Sequence, residues 1–432
     1  MKKGHFQTIL VIVFMALAGF GILVFSGAIQ IGKNKTPGSL GTVVLWGTVR
    51  SSAISEILQK FNNANTTFAV EYVEKSADTY DQDLLEALAD GTGPDMFFMP
   101  DDLTFHYSNK IVNIPYSSYP LATFKNNFAG AGEVFLSSKG VLAFPISIDP
   151  LMMYYNRSML DANGVIFPPA TWDDLVGLVP TLTKKDDSNK IIKSAVALGQ
   201  SSNIVHAKDI LTALFMQASS PIVTEQDGRY YPNFNTTNPK YNLVSVLQFY
   251  TSFADPSKEA YSWNRSFPNS NEAFSSEDVA FYFGFASELT KLINSNPNQN
   301  FGVAPLPQIK NADIRLTNAH VTGIAIFSTS KKISTAFTAA SLLSTGDFAS
   351  EFAIATGTVP ARRDLLKDKP TTDAFSPIFY NSALYGRSWV DPSSADTDNI
   401  FRNLIDSVLS NTIAPQSAIL DASSRLNLLF VR

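Results

Sequence analysis

Residues 140–172, GVLAFPISIDPLMMYYNRSMLDANGVIFPPATW, decide how this chain folds. Val141–Phe144 reads as a strand that runs on through Pro145–Ile146, and a Tyr-Tyr-Asn-Arg run (Tyr154–Arg157) precedes a Pro-Pro-x-Thr-Trp helix start. Thr171 and Asp174 form a capping box: a hydroxyl caps the first turn and a carboxylate three residues on answers it. Leu175, Leu178 and Val179 then give the buried stripe of a helix that Pro180 should kink or end, because proline has no N–H to donate.

Outward from this stretch, short apolar runs alternate with amphipathic helical patterns. Val43–Trp46 reads as a strand, and Ser52 can cap a helix with Ile54, Ile57, Leu58 and Phe61 at i, i+3, i+4 and i+7. Phe68–Val73 is the next strand. Tyr80–Asp90 carries Leu84, Leu85 and Leu88 on one face and stops at Gly91, before Pro94-Asp95 opens the strand Met96–Met99. The β-α-β-α-β order predicts a parallel sheet, and ligands in such sheets sit beyond the carboxyl ends of the strands, here after Trp46 and Met99. Downstream, Val279–Phe283, Gly302–Leu306 and Ile324–Phe327 read as strands, and Ala336–Leu343 and Phe348–Ala355 as helices. No repeat of 20–50 residues is visible.

Between Lys3 and Lys33 the sequence has no charged residue other than His5, and Thr8–Ile31 is a largely apolar run of 24 residues. That is long enough to cross a hydrocarbon core of about 30 Å as a helix. It exceeds the apolar part of a cleavable signal, so an uncleaved anchor is expected, although Ser26-Gly27-Ala28 would pass as a cleavage site. The expected order is a cytoplasmic tail over 1–7, a transmembrane segment over 8–31 and a linker over 32–41. With no cysteine, the chain has neither disulfides nor a cysteine to carry lipid, so tethering would fall to the helix. A net charge of −5 with well-mixed signs gives no basic patch for nucleic acid.

Catalytic patterns are missing. The four histidines, His5, His106, His206 and His320, have no neighbours at metal-ligand spacing and read as surface or hinge residues. There is no HExxH, Gly-x-Ser-x-Gly elbow or phosphate-cradling glycine loop, and Asp391–Asp398 lacks the order of a calcium loop. A glycosidase needs only two carboxylates, so it stays a minor alternative; otherwise no enzyme activity, cofactor or metal is expected.

The opening stretch resembles the segment that carries extracellular solute-binding proteins of the maltodextrin-binding type, the sugar-binding component of ABC importers, from one lobe into the other. The resemblance extends in order over residues 43–103, 274–308 and 321–366. It implies an α/β, two-lobed periplasmic-binding-protein-like fold, each lobe a mainly parallel sheet flanked by helices. Lobe one would be 42–146 and 321–357, lobe two 147–320 and 358–432. The chain would cross between them near Pro145–Ile148, Ala319–Gly323 and Ala355–Pro360, which leaves hinge closure as the motion.

The resemblance also implies ligand-contacting residues: Asp102 and Asp149 as carboxylates for sugar hydroxyls, Trp389 as a stacking aromatic, and Asn203 and Phe285 from the cleft-lining stretches of lobe two. Trp46, at the cleft end of the first strand, joins them as an aromatic plane. Met99 departs from the maltodextrin binders, which carry an aromatic there. Trp172 reads as structural, Trp263 as either cleft or core, Asp101 as either surface or site, and Arg362–Arg363 as a solvated pair. The implied function is capture of a sugar, oligosaccharide or related solute outside the cell membrane for import through permease partners. A ligand-sensing receptor and an adhesive or structural envelope protein remain the alternatives.

Overall fold

The computed structural model describes residues 40–234, 243–312, 314–371 and 373–431. The expected membrane segment over 8–31 and the tail over 1–7 lie outside the described residues. Among those described, no helix is long and apolar enough to cross a membrane.

Strands β1 (Thr42–Gly47), β2 (Ala69–Glu74) and β3 (Met96–Pro100) open the fold. β1 alternates part-buried with buried residues, the period-two signature of a strand with one face in the core. It pairs in parallel with both β2 and β3. The helix Ser51–Ala64 buries Ile54, Ile57 and Leu58 against this sheet. Ser52 does not cap it: the helix begins one residue earlier, and the Ser51 N–H is satisfied by the Glu74 carboxylate at 2.6 Å. The helix Tyr80–Ala89 buries Tyr80, Leu84 and Ala87. The Tyr80 hydroxyl donates to the carbonyls of Trp46 at 3.1 Å and Phe98 at 2.9 Å, which ties that helix to the carboxyl ends of β1 and β3.

Two long strands join the lobes. The first hinge strand, Ala143–Asn156, is almost wholly buried, and the second, Thr317–Ile326, nearly so. From Ala143 to Pro150 the first pairs antiparallel with the second, and Val359–Pro360 adds to it at Ile148 and Ser147. From Leu151 onward it is flanked instead by Val279–Phe285 and Phe301–Pro305. The second hinge strand also pairs with β3 through Thr322–Ile326. One lobe's sheet thus runs through shared strands into the other's, giving an α/β fold of two lobes.

The expectation of mainly parallel sheets is corrected. Among the described strands, parallel pairing is confined to β1 with its neighbours, Val279–Phe285 with Ile191–Val196, and Thr317–Asn318 with Gly386–Arg387; outside the strands, Thr171 and Gln308 form an isolated parallel bridge. The hinge strands run in opposite directions, so their main pairings are antiparallel and both sheets are mixed. The capping box forms, with the Asp174 N–H donating to the Thr171 hydroxyl oxygen and the Thr171 N–H to the Asp174 carboxylate, both at 3.2 Å. Pro180 lies in the helix Trp172–Leu182, which ends two residues later.

Candidate functional site: the interlobe cleft

β3 ends at Pro100 and passes straight into a single tight turn, Asp101–Leu103. This sets two adjacent carboxylates beyond the carboxyl end of a sheet strand, the usual place for a ligand. Asp101 is 5% exposed; it accepts a hydrogen bond from the Ser388 hydroxyl and faces His320 Nδ1 at 3.3 Å. His320 stands on the second hinge strand directly opposite Asp149 of the first, so both side chains share a face. Its Nε2 lies 3.6 Å from Asp209, on the helix Ala207–Gln217. One imidazole therefore links carboxylates across the cleft.

The network continues from there. His206 Nδ1 is 3.7 Å from Asp209, and its Nε2 bonds the Glu288 carboxylate. Glu288 in turn accepts from the Tyr282 hydroxyl at 2.6 Å and the Phe285 N–H at 3.1 Å. Lys208 pairs with Asp391 at 3.1 Å and Asp398 at 2.6 Å. Burial works to lower the basicity of both histidines, but the carboxylates outweigh it: Asp101, Asp209 and Asp149 raise His320 to about 10, and Asp209 with Glu288 raise His206 to about 9. Both are cations at neutral pH. The His320 side chain is 46% exposed, so solvent screening reduces what its ion pairs contribute.

Asp102 and Asp149 behave differently from the paired acids. Burial pushes each up to about 6, and the neighbouring Asp101 charge adds to the effect at Asp102. Asp149 is held by Ser287, whose N–H donates at 3.0 Å. Asp102 has no hydrogen bond or ion pair among the described residues.

Asp102, Asp149, Phe285 and Trp389 converge around His320. Phe285 packs its ring 4.6 Å from the His320 ring and 4.9 Å from that of His206. Asp102, His320 and Trp389 line one small cavity of about 20 Å³ together with Ser388. Ser388 and Trp389 also wall an adjoining cavity of about 880 Å³, bordered by Glu133 and Leu136 of one lobe and Ile222 and Tyr230 of the other. The lobes touch again where the Phe105 ring meets Tyr230 at 5.8 Å and Phe430 at 5.1 Å.

Trp46 and Asn203 do not join the cluster. The Trp46 ring is covered by the Lys75 ammonium, 3.8 Å from its centroid, so that face is taken. Asn203 is corrected to a structural brace: its amide donates to the carbonyls of Asn264 and Phe267 at 3.1 and 3.0 Å, and its oxygen accepts from Trp263 Nε1 at 3.0 Å. Trp263 itself is fully buried and stacks on Phe267 at 4.4 Å. Trp172 is buried too, donating to the Gln217 side chain at 2.7 Å. The sequence reading did not single out His206, Lys208, Asp209, Glu288 and Asp391, whose network is closed by the long-range pairs His206–Glu288, Lys208–Asp391 and His320–Asp209. His320 had a signal, as the one ionisable residue in the crossing strand Thr317–Ile326.

Comparison with known proteins agrees with this architecture. Among solved structures, a cyclo/maltodextrin-binding protein complexed with maltotetraose superposes with a TM-score of 0.72 at 19% identity, covering 93% of this chain and 98% of that one. A sugar-binding protein of Xanthomonas citri gives 0.69 at 16% identity over 90% of this chain and 97% of its own. An ABC substrate-binding protein of Listeria monocytogenes, in complex with cycloalternan, gives 0.66 at 18% over 90% and 98%. At these identities the likeness is one of fold. A binding protein of Brucella abortus strain 2308 is 24% identical over 163 residues, a stretch that spans 37% of this chain and only 38% of that relative. The sequence profile of bacterial extracellular solute-binding proteins matches residues 56–375, and the chain belongs to that family.

Proposed function

We propose that this protein captures a sugar or oligosaccharide outside the cell, closes its lobes over it and delivers it to the permease subunits of an ABC importer, tethered by a membrane helix over 8–31. The lobes of this reading are 42–146 with 321–357, and 147–320 with 358–432. The observation that carries it is the convergence of Asp102, Asp149, Phe285 and Trp389 at the hinge, where acceptors for hydroxyls meet aromatic planes for the C–H faces of a sugar ring. The changes of strand partner near Pro150 and at Val359 support a bend between the lobes, and the structural relatives that carry saccharides support the ligand class.

Calorimetric titration of the full-length protein in detergent against mono- and oligosaccharides tests the reading. Saturable binding is expected for one saccharide class. Trp389→Ala and Asp102→Ala should each weaken it by about tenfold or more, the order expected for losing one well-placed stacking or charged hydrogen-bonding contact. Unchanged affinity in both variants would remove these residues from the site.

A further inference from the structure

The small cavity at the hinge has a charge pattern that a neutral sugar does not explain. Its wall contains the carboxylates of Asp101, Asp102, Asp209 and Asp391 but only two cations, Lys208 and His320. Both cations are already shared, Lys208 between Asp391 and Asp398, and His320 between Asp101 and Asp209. Asp102 alone among these acids has neither hydrogen bond nor ion pair among the described residues. At about 20 Å³ the space holds one group the size of a water molecule. Trp389 adds an aromatic ring to the wall, and rings attract cations. Among the described residues, no set of three or more acids and imidazoles is arranged to hold a metal ion, so the missing cation fits an organic one.

We propose that this cavity is the subsite for a protonated amine on the captured solute, whose body lies in the adjoining cavity of about 880 Å³. A hydroxyl could donate to Asp102 but would leave the excess of carboxylates over cations on this wall unbalanced. A primary ammonium is about the size of the space, brings three donors and supplies the missing charge. The inference rests on the binding-protein reading and narrows its ligand class from sugars to amine-bearing solutes, amino sugars first.

The test uses matched pairs that differ only in amine against hydroxyl: glucosamine and glucose, the chitosan dimer and cellobiose, putrescine and 1,4-butanediol. Each is titrated into the full-length protein near neutral pH, with maltodextrins alongside. The amine member should bind about tenfold or more tightly in at least one pair, and Asp102→Asn should reduce that preference to about threefold or less. An Asp102→Asn protein that melts like the wild type keeps this comparison free of folding effects. Sugars that bind with no advantage for the amine would overturn the subsite and leave the sugar-capture reading standing. Putrescine binding without any sugar would support the subsite and overturn sugar capture, and failure of every probe would overturn both.

Discussion

At the residue scale, the acids of the cleft differ in how far their partners offset the cost of burial, and those that burial still dominates, Asp102 and Asp149, lower stability when ionised. Asp149 is pushed up to about 6 in the fold, above the ordinary carboxylate value of 3.8. The folded state therefore binds a proton more tightly than the unfolded chain. The stability linked to it is fully present below the ordinary value and is lost as pH rises through about 6. Asp149→Asn should then raise the stability of the unliganded protein by roughly 1–3 kcal/mol near pH 8 and by almost nothing near pH 3.5, read from melting temperatures at both. An equal gain at both would mean that the carboxylate is not ionised against its surroundings. Asp102 and Asp149 could be singled out in the sequence because each follows a recognisable strand or crossing, and the fold sets both beside His320. The role of His320 was not, because its charge depends on Asp101 and Asp209, which only the folded chain brings together.

Among the elements, those with clear periodicity read well. The apolar positions of Ser51–Ala64 and the capping box before Trp172–Leu182 state their structure locally. Strand direction is not written that way, and this is why the sheets read as parallel and proved mixed. The second hinge strand also begins earlier than its apolar run suggests, because Thr317 and Asn318 are polar but bonded: the Thr317 hydroxyl donates to the Leu151 carbonyl at 2.7 Å and the Asn318 amide to Asp209 at 3.0 Å. Asn203 misled for a similar reason. Its partners lie some 60 residues on, in the loop that leads into the helix Ser270–Ser275. Asn203→Ala leaves the Trp263 indole N–H and two carbonyls without their partner, a loss of roughly 1–3 kcal/mol in denaturant unfolding. Ligand affinity, measured where the variant is folded, should stay within about twofold of wild type. A selective loss of affinity with unchanged stability would restore Asn203 to the site.

For the whole molecule, the division into lobes describes how the chain moves better than how it melts. The first hinge strand is paired along nearly its whole length, with the second hinge strand and Val359–Pro360 up to Pro150 and with Val279–Phe285 and Phe301–Pro305 from Leu151. Neither lobe can unravel to its centre without stripping hydrogen bonds from a strand the other still needs. Calorimetry should therefore show one endotherm whose van't Hoff and calorimetric enthalpies agree. In native-state hydrogen exchange, the amides of 143–156 should open only with global unfolding. Two resolved endotherms would show that the lobes are separate cooperative units. The same strand bears on evolution by recombination: a lobe exchanged between relatives would have to bring a compatible half of this strand with it, so viable chimeras should have their junctions in surface loops and not between Pro150 and Leu151.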